Sequence, residues 1–316
     1  MPAKKRLRRK SNYKLAGALA MFACFSMTGF SALALSQLHY AANPSGDMGV
    51  LAGLGFNLMD VTANISNPKS VNDIVNALPA NSKALIWIGN IGKGHEKERC
   101  PAPGYTDAQF QDQVDALADN PRVFGYYIAD EPRPSICPNA AQDIRARSDY
   151  IHAHAPKQKS FMIVLDGSAM CPKGLGCEFR ALSPANTHVD LIGIDPYPCH
   201  VDSQGIPSAC DMGSITERVN AALQNGIPGS AIVPVFQEFG QEGRADNEKG
   251  FYLTPKPAEL ATMLKIWGKL VPNPVFDYAY TWGIQCTQAF CPSPQALKNH
   301  SELQSVVRQY NQGNFP

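Results

Sequence analysis

Two glutamates in this sequence each close a run of apolar and aromatic residues. One run is Val123-Phe124-Gly125-Tyr126-Tyr127-Ile128-Ala129-Asp130-Glu131-Pro132, and the other is Val233-Pro234-Val235-Phe236-Gln237-Glu238-Phe239-Gly240. Two carboxyls delivered to one cleft supply what cleavage of a glycosidic bond needs. One, kept protonated, gives its proton to the leaving oxygen, and the other, ionised, attacks the anomeric carbon. A single glutamate at a strand end can equally cap a helix or pair with a rim arginine, here Arg133 or Arg244. The two together point to chemistry.

The elements that must position them alternate. Short β-branched or aromatic runs are expected as strands at Leu38 to Ala41, Phe56 to Asp60, Ala84 to Gly89, Val123 to Asp130, Ser160 to Leu165, Leu191 to Asp195, Ile232 to Glu238 and Phe276 to Trp282. Amphipathic stretches lie between them at Ser70 to Leu78, Thr106 to Ala118, Ala140 to His154, Ile215 to Asn225, Pro257 to Leu270 and Gln295 to Gln312, several opened by start signals at Thr106-Asp107, Asn139 and Ser214. The segment between strands five and six is broken by Gly174, Gly176 and Pro184. Such alternation is the mark of βαβ units on a parallel sheet. A strand count near eight, with no internal repeat and no linker, predicts the α/β class and a single (β/α)8 TIM barrel. An open doubly wound sheet is the rival, but no Gly-x-Gly-x-x-Gly follows an early strand, so nothing indicates a dinucleotide.

Barrels of this kind keep their active sites at the carboxyl ends of the strands, so polar residues ending apolar strands are candidates. Strand two ends in Asp60, three runs into Asn90, four into Asp130-Glu131, five into Asp166, six into Asp195, seven into Gln237-Glu238 and eight into Trp282. Trp87 and Asn90 could line a subsite, although core packing accounts for the Trp equally well. Asp195 and Asp166 could bind sugar hydroxyls or serve strand-end structure. The Gly-rich, charged stretch from Gly240 to Gly250 suits a loop over the cleft. His152 and His154, two apart on an expected helix, face different ways and read as surface residues, not metal ligands.

Glutamates ending strands four and seven resemble the large clan of retaining glycosidases that carries its acid/base and its nucleophile at those places. That resemblance covers essentially the whole chain after its N-terminal segment. It implies Glu131 as acid/base, Glu238 as nucleophile, Tyr197 as the strand-six residue supporting the nucleophile, and Trp282 as the tryptophan flooring the sugar site, an indole face being suited to the apolar C–H face of a sugar. Retention also implies carboxyls about 5 to 5.5 Å apart. The clan usually shows Asn before the acid/base, where this chain has Asp130, which can accept a hydrogen bond from a sugar hydroxyl but not donate one. Asp-Glu resembles instead the substrate-assisted hexosaminidases, in which Asp positions a 2-acetamido group that acts as nucleophile, and Glu238 would then be a binding residue. A non-catalytic barrel that binds glycan or protein is the reading from another class, since fold does not prove function.

The 316 residues are 44% hydrophobic with net charge +1, which argues against nucleic-acid partners, and the expectation is a monomer acting on carbohydrate without a cofactor. Lys4, Lys5, Arg6, Arg8, Arg9 and Lys10 precede an apolar run from Leu15 to Leu35, so residues 1–35 read as a signal peptide or a membrane anchor and 36–316 as the barrel, on the secreted or periplasmic side. Any membrane contact is expected only through an uncleaved N-terminal segment. Of nine cysteines, Cys24 lies in that segment. The remaining even set favours disulfides over a zinc site, there being no Cys-x-x-Cys. Neighbour pairing would join Cys100 with Cys137, Cys171 with Cys177, Cys199 with Cys210 and Cys286 with Cys291, all in segments that follow strands and so on the catalytic face. Asn64-Ile65-Ser66 and Asn299-His300-Ser301 match a glycosylation pattern that matters only in a eukaryotic secretory pathway.

Overall fold

The computed structural model describes residues 37–64, 66–89, 106–135, 137–165, 176–202, 206–242, 251–284 and 295–315. Eight parallel strands form a closed barrel: β1 Leu38–Ala41, β2 Leu58–Thr62, β3 Lys83–Trp87, β4 Val123–Asp130, β5 Lys159–Val164, β6 Leu191–Ile194, β7 Ile232–Gln237 and β8 Phe276–Tyr280. Each pairs with the next in chain order, and β8 returns to β1 in the register Leu38↔Phe276 to Ala41↔Ala279. The outer layer holds α1 Met48–Gly53, α2 Ser70–Asn76, α3 Asp107–Leu117, α4 Ala140–His154, α5 Cys177–Ala181, α6 Pro184–Thr187, α7 Gly213–Gln224, α8 Pro257–Leu270 and α9 Ser301–Asn311. Among the described residues no helix is long and apolar enough to cross a membrane.

Local chemistry accounts for where elements begin and end. Thr106 caps α3 by accepting from the Gln109 N–H at 3.3 Å, while the Gln109 side chain accepts from the Thr106 N–H at 2.8 Å. β2 starts two residues later than the sequence suggests. Phe56 is spent on ending α1, its N–H donating to Leu51 O at 3.1 Å across Gly55, whose φ of 90° suits glycine alone. α9 is shorter than expected because Gln295–Ala296 leaves the helical pattern to pair antiparallel with Phe239–Gly240. Between β5 and β6 the glycine- and proline-broken stretch yields only the two short helices α5 and α6, with Pro184 opening the second.

Strand alternation divides the core in two. Facing outward, residues such as Met59, Ile86, Tyr126, Ile128, Ile192 and Phe236 join the helices in one apolar cluster. Facing inward is a second cluster, rich in rings: Tyr40, Phe124, Tyr127, Phe161, Phe276 and Tyr278, filled out by Leu58, Leu85, Val233 and Val235. Phe276 packs edge-on against Phe124 and Phe161 at centroid distances of 5.6 and 5.0 Å, while Tyr40 and Tyr278 lie 4.5 Å apart. Barrel interiors are more often filled by Val, Ile and Leu. Here phenol hydroxyls rise from the plug toward the carboxyl ends of the strands.

Gly125 lets β4 approach β5. A Cβ there would run into the backbone of Lys159 on β5, so the strands could not keep their spacing. Gly125→Ala is expected to cost about 1–3 kcal/mol, read as a lowered urea midpoint with an unchanged slope; an unaltered midpoint would show that the β4–β5 contact is looser than described.

Candidate active site at the barrel mouth

β4 carries the first part of the site. A register shift against β5 between Tyr127 and Ala129 resets the alternation, and Asp130 then stands with the tyrosines of the interior. The Tyr127 hydroxyl donates to Asp130 Oδ1 at 2.7 Å. Burial, then the nearby carboxylates, push the phenols of Tyr127 and Tyr278 well above their ordinary range, so both remain protonated donors. The charge of Asp130 reaches Tyr197 and Tyr278 as well as Tyr127, which places these groups around one space.

Glu131 follows, partly buried, with its N–H donating to Ile163 O of β5 at 3.0 Å and its backbone at φ 45°. Tyr197, just past the end of β6, has φ 42°. Non-glycine residues in this region are strained by roughly 1–3 kcal/mol, and such strain gathers at functional sites. Tyr197 is nearly buried, with ring contacts to Phe239 at 5.1 Å, Tyr252 at 5.5 Å and Tyr280 at 5.8 Å, and Asp195 is buried beside it. Trp87 ends β3 at the same level, partly open, edge-on to Tyr127 at 4.4 Å.

Asp60 on β2, noted in the sequence as a strand-end carboxylate but given no role, belongs to this space. Its Oδ2 accepts the Asn43 N–H at 3.1 Å, while Oδ1 is buried without a hydrogen-bond partner among the described residues. Burial raises its pKa to about 6, with Asn43 and Tyr40 offsetting part of the effect. The signal available in the sequence was inward parity with Tyr40 and Tyr278, on strands that only barrel closure makes neighbours.

Glu238 and Trp282, two of the expected residues, are deeply buried. Glu238 is fully buried, neither carboxyl oxygen has a hydrogen-bond partner among the described residues, and burial followed by the charge of Asp277 pushes its pKa well above the usual carboxylate range. Asp277 lies on the helix side of the sheet, bonded to His39 at 2.9 Å and Gln37 at 3.0 Å. Val233 and Val235 point inward and Phe236 outward to Tyr310, and Glu238 shares the outward parity of Phe236. The carboxyl of Glu238 therefore lies within the influence of Asp277, on the helix side. Trp282 is 2% exposed, packed in the outer cluster, and its indole N–H donates to Asp47 Oδ2 at 3.0 Å. Trp87 is the more open of the two indoles.

Cys199 and Cys210 form a disulfide as neighbour pairing predicts, and Cys137 and Cys177 are disulfide-bonded too. Asn90, Asp166, Cys100, Cys171, Cys286 and Cys291 lie outside the described residues. One group of metal-ligand atom types comes together among the described residues, Cys199, Cys210 and Glu259, but its two sulfurs are bonded to each other. His152 and His154 pair with Asp190 and Asp115 at 2.8 and 3.0 Å, as surface residues do.

No family model and no curated protein matches the chain. Solved structures do. A chitinase from Chromobacterium violaceum superposes with TM-score 0.55 at 13% identity, over 86% of this chain and 97% of that one. GH5_18 from Streptomyces cattleya, in complex with GlcNAc, gives 0.54 at 13% identity over 89% and 82%. ScGas2 gives 0.53 at 18% identity over 84% of this chain and 59% of that one. At such identities the likeness is one of fold: an α/β protein with a single (β/α)8 barrel, like those structures.

Asp60 generates a prediction of its own. Its folded pKa of about 6 lies above the ordinary 3.8, so its contribution to stability is complete below about pH 4 and lost as pH rises to about 6. Asp60→Asn should remove up to ~3 kcal/mol of that decline, so the variant gains on the parent between pH 4 and pH 7. Equal differences in unfolding free energy at the two pH values would contradict the placement.

Proposed function

We propose that the chain is an exported glycoside hydrolase acting on a carbohydrate polymer or oligomer, with Glu131 giving the proton to the leaving oxygen. One observation carries the reading: Asp130, hydrogen-bonded among buried tyrosines, next to Glu131 on a strained backbone at the carboxyl end of β4. The solved neighbours named as a chitinase and as a GlcNAc complex support a 2-acetamido sugar as substrate. The basic and apolar N-terminal sequence and the disulfides support export.

Both routes considered from the sequence retain configuration. In one, Glu238 attacks to form a glycosyl-enzyme, and Glu131 acts first as acid and then as base. In the other, the acetamido oxygen of the substrate attacks, Asp130 orients and stabilises the acetamido group, and Glu131 has the same two roles. The surroundings of Glu238 favour the second route. Burial and the charge of Asp277 both push the Glu238 carboxyl toward its neutral form, the wrong direction for a nucleophile, and neither oxygen has a hydrogen-bond partner among the described residues. Asp130 has the donor that an orienting carboxylate needs.

Turnover of N-acetylglucosamine oligomers and β-glucan oligomers by the purified chain tests this. Glu131→Gln should lower kcat/KM by about 10²–10⁴. Asp130→Asn should fall by about 10² or more while Glu238→Gln stays within a few-fold. The reverse order would assign attack to Glu238, and a fully active Glu131→Gln would refute the proposal.

A further inference from the structure

An aromatic ring that is half exposed and held in place by its neighbours offers a ligand a ready apolar face. Phe251 is 49% exposed. Its ring is stacked on His200, centroids 4.9 Å apart and planes 8° from parallel. Behind it, Tyr252 packs edge-on to Phe251 at 4.9 Å and to Tyr197 at 5.5 Å. A continuous run of rings thus leads from Tyr197 in the barrel mouth to Phe251 at the surface.

The support is stiff. The Val201 N–H donates to Phe251 O and the Leu253 N–H to Cys199 O, both at 2.9 Å, so the segment bearing Phe251 is paired with the one bearing His200. The disulfide between Cys199 and Cys210 closes that second segment into a loop. Gln237, at the end of β7, fastens both: its side chain accepts the Cys199 N–H at 2.8 Å and donates to Cys199 O at 2.8 Å and Leu253 O at 3.0 Å. His200 adds polarity. Its Nδ1 lies 2.8 Å from the carbonyl of Val201, a contact that needs the hydrogen on Nδ1 and leaves Nε2 of the neutral ring as an acceptor.

We propose that Phe251, backed by His200, is an outer sugar subsite: a platform on which a pyranose ring of a chain emerging from the mouth stacks its C–H face, with Nε2 of His200 available to one of its hydroxyls. The inference rests on the carbohydrate reading of the mouth. A preorganised ring suits this occupant because a sugar presents an apolar face rimmed by hydroxyl donors, and the ordering cost is met before binding. The subsite would set a preference for longer substrates.

Calorimetric titration of the Glu131→Gln protein with N-acetylglucosamine pentamer and dimer provides the test. Adding Phe251→Ala should lower the ratio of pentamer to dimer affinity by about tenfold, while Phe251→Trp should keep it or raise it. Since Phe251 is half exposed, its truncation leaves no cavity in the core, and thermal midpoints should confirm folding. An unchanged ratio in Phe251→Ala, with hydrolysis by the parent intact, would overturn the subsite and leave the glycosidase reading standing. Neither binding nor cleavage of any sugar oligomer by the parent would overturn both.

Discussion

The pairing of Leu38–Ala41 with Phe276–Ala279 closes the sheet, and the site depends on that closure. In a closed parallel barrel every strand ends on the same rim, so Asp60, Asp130, Asp195 and Tyr197, far apart in the chain, come to bound one space. Closure also makes β1 and β8 neighbours, setting Tyr40 against Tyr278 inside the barrel and His39 against Asp277 outside it. One seam thereby supplies both the phenols that line the interior and a polar contact in the helix layer.

An interior of tyrosines over phenylalanines gives the carboxylates differing fates. Asp130 accepts from the Tyr127 hydroxyl at 2.7 Å, whereas Asp60 has one oxygen accepting from Asn43 and its pKa raised to about 6. Glu238, with neither oxygen bonded among the described residues, has its pKa pushed well above the usual carboxylate range. Burial disfavours charge, and hydrogen-bond donors favour it. Glycosidic cleavage calls for acid and anion side by side, and β4 presents two adjacent carboxyls at the point where the donors are.

Much of the architecture was legible. Strands β1 and β4 and helices α4 and α8 fall where apolar runs and helical periodicity put them, because these elements are long or sharply bounded. Boundaries moved where one residue served another element, as Phe56 does in ending α1 and Gln295 in pairing with Gly240. At the end of β4 the apolar residues run directly into Asp130-Glu131, as the sequence shows. Which way the end of β7 faces is harder to read. Whether a residue one past a strand faces the mouth or the helices is settled by a single register step, and the apolar run to Glu238 looks the same either way. The contacts of Trp282 are hidden for a related reason: its backbone N–H donates to Ala42 O and its indole N–H to Asp47, partners more than 230 positions away. Asp60 went unassigned because Tyr278, on the last strand, joins Tyr40 beside it only when the barrel closes.

The central claim is that Glu131 donates the proton to the departing oxygen. The kcat/KM of Glu131→Ala on a series of aryl N-acetylglucosaminides with leaving groups of graded acidity examines that step apart from the later action as base, since kcat/KM reports bond cleavage and a good leaving group needs no proton. The account predicts that the variant retains much of its kcat/KM on dinitrophenyl glycosides, loses about 10²–10⁴ on the least acidic phenols, and shows a steep dependence on leaving-group pKa that the parent lacks. Equal losses across the series would contradict it.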